Sequence, residues 1–159
     1  MKLVVYLAGP ILGCTDEECK GWRNRMAEQL PEITFLDPMR RDYRDFETME
    51  TATEIVEDDI ADINASDAVL VFHDRPSVGT AMEAFYAFRE GKYVLTVNAL
   101  EENEHPDTNM YPTKMSPWML YHSSEIVNSL EEAIEKLRAM AQDVWDAGAE
   151  LLDVQEDVL

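Results

Sequence analysis

Four short apolar runs, mostly rich in β-branched residues, punctuate the chain: KLVVYLAG (2–9), ITFLDP (33–38), AVLVFHD (68–74) and KYVLTVNA (92–99). Most are continuous rather than alternating, the pattern of strands covered on both faces. Between them the pattern turns helical. TDEECKGWRNRMAEQL opens with a threonine cap and acids in its first turn. TATEIVEDDIADINAS sets Val56, Ile60 and Ile63 on one stripe. GTAMEAFYAFREG follows the third run and stops at Gly91, and NSLEEAIEKLRAMAQDVWDAG is a last amphipathic helix capped by Asn128 or Ser129. Strands alternating with helices predict right-handed crossovers. The fold class is therefore α/β: a three-layer, Rossmann/flavodoxin-like arrangement with a mostly parallel sheet of about five strands flanked by helices.

The chain of 159 residues is long enough for one domain with a proper core and short for two. The last fifteen or so residues, ending in ELLDVQEDVL, form either a frayed acidic end or a docking segment. The polar stretch EENEHPDTNMYPTKMSPWM (101–119) is too long for a simple connection, which marks a lid or a partner-contacting loop.

Charge narrows the choice of partner. A net charge of −20 repels phosphate backbones and anionic membranes, so neither nucleic-acid polymer nor membrane is an expected partner. A small anionic substrate would need local positive groups or backbone amides. The excess of acids suits a high-salt organism and an ordinary acidic cytosolic or viral protein equally well. Cys14 and Cys19 lack further ligands at zinc spacing and read as a reduced pair. The N-terminal run is too short for a signal peptide and no run reaches membrane-helix length, so a cytoplasmic protein is expected.

Ligands of parallel α/β sheets bind at the carboxyl ends of the strands, near the switch in strand order. Three polar clusters fall there: AGP after the first run, DPMRRDYR after the second and HDRPSVGT after the third. The last is a small-residue turn at a helix N-terminus, whose N–H groups suit an anion, and Ser77 adds a hydroxyl. Glu83 follows, read as a first-turn acid whose ionised form the helix dipole favours. An oriented, ionised carboxylate is what a nucleophile at a sugar carbon needs. Taken alone, Glu83 fits a structural first-turn acid better than a catalyst, and Ser77 and Gly79 make an ordinary strand-to-helix turn. His73, His105 and His122 are scattered and read as surface or edge residues.

Three segments together, VVYLAGP, VEDDIADINASDAVLV and PSVGTAMEAFYAFREGKYV, resemble the nucleoside 2-deoxyribosyltransferase-like superfamily. That group holds transferases that exchange bases on deoxyribose and hydrolases of nucleoside 5′-monophosphates. The match runs in order from residue 2 to about residue 97. It implies Glu83 as nucleophile, Tyr6 as the tyrosine that orients it, and Asp59 as the acid that works on the leaving base or a sugar hydroxyl. Gly9, Ser77, Gly79 and Arg40 are the implied substrate-binding residues, with Arg41 and Arg44 as further positive charge. Six positions before the nucleophile the transferases often carry aspartate and the nucleotide hydrolases serine; here it is Ser77.

The resemblance implies a transferase of deoxyribose between bases, working through a covalent glycosyl-glutamate on a small nucleoside or nucleotide, with no cofactor and no metal. Its alternatives are a 5′-monophosphate N-glycosidase and a non-catalytic nucleotide-binding module. Family members are homo-oligomers, so a homodimer or larger is implied, with Met82, Phe85, Tyr86, Phe88, Trp118 and Tyr121 suited to core, pocket or subunit contact.

Overall fold

Each of the four apolar runs forms a strand, and a fifth, three-residue strand joins them. The computed structural model describes residues 1–44, 48–100 and 115–156, with side chains to residue 147. In chain order the elements are β1 (Val4–Ala8), α1 (Asp16–Gln29), β2 (Thr34–Leu36), a 3-10 turn (Pro38–Arg41), α2 (Ala52–Ala65) and β3 (Ala68–His73). There follow α3 (Val78–Arg89), β4 (Tyr93–Asn98), α4 (Pro117–Tyr121), β5 (Glu125–Val127) and α5 (Leu130–Glu156). The sheet is parallel throughout, in the order β2-β1-β3-β4-β5. This is the flavodoxin-like order, with its switch point between β1 and β3.

The continuous apolar strands cover two cores. Val5, Leu7, Leu70, Leu95 and Val97 pack on one face with Trp22 and Met26 of α1 and Ile134 and Leu137 of α5. Tyr6, Ala8, Val69, Val71 and Val94 point to the other face, against Ile63 of α2, Ala84 and Ala87 of α3 and Met119 of α4. Alternate residues of one strand therefore serve opposite layers, as the pleat requires.

Helix ends follow the sequence signals. Thr15 caps α1 through a complete capping box with Glu18. Ser129 accepts from the Glu132 N–H at the start of α5, and Gly91, at φ +73°, provides the left-handed residue after α3. The stripe expected on α2 is altered: Ile63 is buried, but Val56 is 55 % exposed and lines a cavity instead of the core. The buried residues of α2, Asp62 and Ile63, lie in its C-terminal half, and Val56 and Ile55 nearer its start line the cavity. Cys14 and Cys19 are free thiols. Most of the expected lid stretch, residues 101–114, lies outside the described residues. Among the described residues, no helix is long and apolar enough to cross a membrane.

Candidate active site

A cavity of about 730 Å³ opens over the carboxyl ends of β1, β2 and β3. Its walls come from the segment after β1 (Gly9–Leu12), the turn after β2, helix α2 and the turn into α3. Of the residues singled out from sequence, Gly9, Asp59, Ser77, Gly79 and Glu83 all line it.

Glu83 does not sit where the pattern put it. Ser77 is the N-cap and Val78 the first helical residue, so no acid falls in the first turn of α3 and Glu83 belongs to the second. It shares the inward stripe with the buried Thr80, Ala84 and Ala87. A carboxylate on that stripe, beside small residues that let α3 approach the sheet, ends up under the cavity rather than in water. Its electrostatics differ accordingly: burial first, then the Asp59 charge, push its pKa from 4.5 up to about 7, against opposing pulls from Tyr6 and Arg23. The expected dipole-favoured, fully ionised acid is thus corrected to one poised near neutrality, because desolvation outweighs the fading helix field in the second turn.

Tyr6 sits on β1, fully buried, and its hydroxyl donates to Glu83 Oε1 at 2.8 Å. Burial, followed by the charges of Glu83 and Asp59, drives the phenol pKa far up, so it acts as a donor and not as a base. One oxygen of Glu83 is held, then, and the other, Oε2, is buried without a hydrogen-bond partner among the described residues. Asp59, reaching in from α2, has its pKa raised by burial, opposed by Tyr6 and Arg41. Burial raises both carboxyls, and the Asp59 charge raises Glu83 further, so the two form an interacting pair of acids at one site.

Ser77 Oγ accepts from the Thr80 N–H at 3.4 Å and from Thr80 Oγ1 at 3.0 Å, which leaves its own proton to donate. A Cβ built on Gly79 meets nothing within 4 Å, so glycine there keeps the helix start open to the cavity. A Cβ on Gly9 would lie 2.7 Å from Trp22 Cζ2, so that glycine is required by packing. Trp22 in turn stacks on Phe72 of β3, centroids 4.9 Å apart.

The arginines sort differently from expectation. Arg40 is not among the cavity-lining residues; its Nη2 bonds both oxygens of Asp62 at 2.6 Å. Arg44 pairs with Asp42 and Asp16. Arg41 is the one of the three that lines the cavity, bridging Asp58 at 2.9 Å and Asp62 at 2.7 Å, with Asp59 at 3.7 Å. The alternation of one turn of 3-10 helix decides which neighbour points inward, and spacing in a loop carries no such information. Arg75 and Tyr43 also line the cavity; both belong to the polar clusters at the strand ends, where nothing in the sequence set them apart from their neighbours. Arg23, buried at 1 % exposure beneath the site, did have a sequence signal. It falls on the buried stripe of α1 with Cys19, Trp22 and Met26, where a charge is out of place.

Residues 5–143 match the model of the family described as nucleoside 2-deoxyribosyltransferase. Among solved structures, a conserved protein from Enterococcus faecalis V583 is 17 % identical, with TM-score 0.68 over 88 % of this chain and 99 % of that one. A 2-deoxyribosyltransferase from Bacillus psychrosaccharolyticus is also 17 % identical, with TM-score 0.61 over 82 % of this chain and 90 % of that one. A CMP N-glycosidase from Clostridium botulinum is 21 % identical, with TM-score 0.49 over 86 % and 98 %. No curated protein sequence matches the chain.

Proposed function

Because the chain belongs to the nucleoside 2-deoxyribosyltransferase family, whose members act on the N-glycosidic bond, we propose that it cleaves that bond in a deoxynucleoside through Glu83 and passes the deoxyribose to a second base. The observation that carries the reading is the Tyr6–Glu83 hydrogen bond of 2.8 Å together with the buried, unpartnered Oε2 of Glu83, a residue that lines the cavity. Oε2 attacks C1′ of the sugar as the C1′–N bond breaks, and the bonding electrons leave with the base. Asp59, its proton affinity raised by burial, delivers the proton that the departing nitrogen takes up. The oxocarbenium-like transition state is met by the negative charge of Glu83, which becomes an ester oxygen. A nitrogen of the incoming base then attacks C1′, the ester bond breaks, the carboxylate returns and Asp59 regains a proton.

Leu12, Met49 and Val56 offer apolar wall for a flat base, and a cavity of about 730 Å³ has room for a nucleoside and more. Ser77 favours a second reading, hydrolysis of a nucleoside 5′-monophosphate with water as acceptor. Its free proton, with the unpaired N–H groups of the first turn of α3, would hold a phosphate. Incubation with deoxynucleosides and with their monophosphates, each with and without an acceptor base, separates the two. Exchange that requires the acceptor supports the transferase; free base from monophosphates alone supports the hydrolase. In Ser77→Asp any monophosphate cleavage is expected to fall by about tenfold or more through like-charge repulsion, with deoxynucleoside turnover largely kept.

Self-association is part of this reading. Val78, Met82 and Phe85, one stripe of α3, are exposed beside exposed Trp118 and Tyr121 of α4. A groove of about 310 Å³ runs between the two helices. Val78 belongs to this stripe and also to the mouth of the cavity, so a second copy docked here would border the substrate. Sedimentation equilibrium should give a dimer or larger, and Met82→Glu should shift it toward monomer; a monomeric parent protein removes the idea.

A further inference from the structure

The guanidinium of Arg23 has no counterpart in the chemistry described so far; it does not line the cavity but is buried against the carboxyl end of β1. Its Nη2 donates to the carbonyl of Gly9 at 3.0 Å and reaches that of Leu7 at 3.5 Å, and its Nη1 donates to the Cys19 carbonyl. Nε pairs with Asp37 at 3.2 Å, the residue that follows β2 and caps the 3-10 turn. The charged carbon lies 4.3 Å from the centre of the Trp22 ring, the same ring that Gly9 must clear. One buried cation thus ties the carboxyl ends of β1 and β2 to α1, directly behind the strand that carries Tyr6.

Burying an arginine whose carboxylate partner remains partly exposed is costly, and three main-chain carbonyls could be satisfied more cheaply by neutral donors. What neutral donors could not supply is charge. Glu83 is faced by Tyr6 from β1 and by Asp59 from α2, and Arg23 on α1 is the cation acting on it; Arg23 in turn is faced by Asp37, Tyr6 and Cys19. Arg41 is taken up with Asp58, Asp59 and Asp62.

We propose that Arg23 is a positioning residue for Glu83, fixing the end of β1 through the Leu7 and Gly9 carbonyls and supplying, from behind the sheet, the positive charge that keeps the glutamate available in its ionised form. The inference rests on the reading of Glu83 as the reacting group. It does not require Arg23 to touch substrate.

The test is a direct titration of Glu83. Side-chain carboxyl carbons of isotopically labelled glutamate are followed by NMR, and the Glu83 signal is the one missing from Glu83→Gln. In Arg23→Gln, which keeps a donor for the carbonyls and removes the charge, the Glu83 midpoint is expected to rise by about one unit. The acid limb of the kcat/KM profile for deoxynucleoside cleavage should move with it, kcat falling more than KM changes. Arg23→Lys, which restores charge, should return the midpoint to within about half a unit of the parent. A folded Arg23→Gln with an unmoved midpoint overturns the proposal. Should Arg23→Gln fail to fold, Arg23→Lys decides, and a midpoint raised by a full unit there overturns it. If the midpoint moves but the parent protein cleaves no nucleoside, the proposed function fails while the electrostatic hold of Arg23 on Glu83 stands.

Discussion

Glu83→Gln should lower kcat/KM for glycosidic cleavage by at least about 1,000-fold, because on the proposed function it removes the nucleophile and leaves everything around it in place. The amide is nearly isosteric, and its oxygen can still accept the Tyr6 hydroxyl that Glu83 Oε1 accepts at 2.8 Å. Loss of activity in that variant would therefore report chemistry and not collapse of the pocket. Glutamine carries no charge to meet an oxocarbenium-like transition state and cannot form the ester on which transfer depends. Cleavage by Asp59 alone, as an acid acting on the leaving base with water as nucleophile, would survive only as a slow residue. The measurement is base release or exchange by chromatography with parent and variant side by side. A variant retaining a tenth or more of parental activity removes Glu83 from the mechanism. No turnover by the parent protein on any nucleoside or nucleotide, with ligand binding equal in both, points instead to the non-catalytic module.

The same substitution is expected to stabilise the protein, and increasingly so with pH. Burial and the Asp59 charge raise the Glu83 pKa from 4.5 in the unfolded chain to about 7 in the fold. Between these values the folded protein binds more protons than the unfolded chain, so its stability falls as pH rises through the window. Below 4.5 the carboxyl is protonated in both states and the penalty is absent; above 7 it is ionised in both and the penalty is complete. Its full size is on the order of 3 kcal/mol. Asp59, with its pKa also raised, acts in the same direction. Glu18, held down at about 2 by the Thr15 N–H and Arg75, acts oppositely, but below the window. Urea unfolding of parent and Glu83→Gln should therefore agree near pH 4.5 and diverge by roughly 2–3 kcal/mol at pH 8. The global repulsion from a net charge of −20 is shared by both proteins until Glu83 ionises, so the difference isolates this one group. Parallel stability curves would mean that Glu83 titrates as an ordinary surface acid.

A carboxyl whose burial destabilises the fold is a reason to look for what holds it, and the supports were unevenly visible in sequence. Tyr6 and Asp59 were named through family resemblance, since a tyrosine in a strand and an acid in an acid-rich helix have no local distinction, whereas Glu83 drew notice by its place near the start of α3 and took its role from the resemblance. Turn chemistry alone put Ser77 and Gly79 at the start of α3 as an ordinary strand-to-helix turn, and the resemblance implied substrate binding there. Arg23 and Trp22 were not singled out from sequence; their helical spacing with Cys19 and Met26 was a signal that only the buried face of α1 made plain. Arg41 was indistinguishable from Arg40 until a single turn of 3-10 helix set one toward the cavity and the other toward Asp62.

By itself the sequence determined the layers. Continuous apolar runs require strands covered on both faces, helical spacing and caps fix what covers them, and local signals such as Thr15, Ser129 and Gly91 set where each helix starts or stops. These are short-range effects, carried by a residue and its near neighbours. The tertiary structure alone decided the state of Glu83. It took the depth of α3 against the sheet, the approach of Asp59 from another helix and the hydroxyl of Tyr6, 77 positions away in the chain, to turn an expected dipole-favoured, ionised acid into one poised near neutral pH. Desolvation and Coulomb interaction depend on distance and burial in space, and a pattern along the chain records neither.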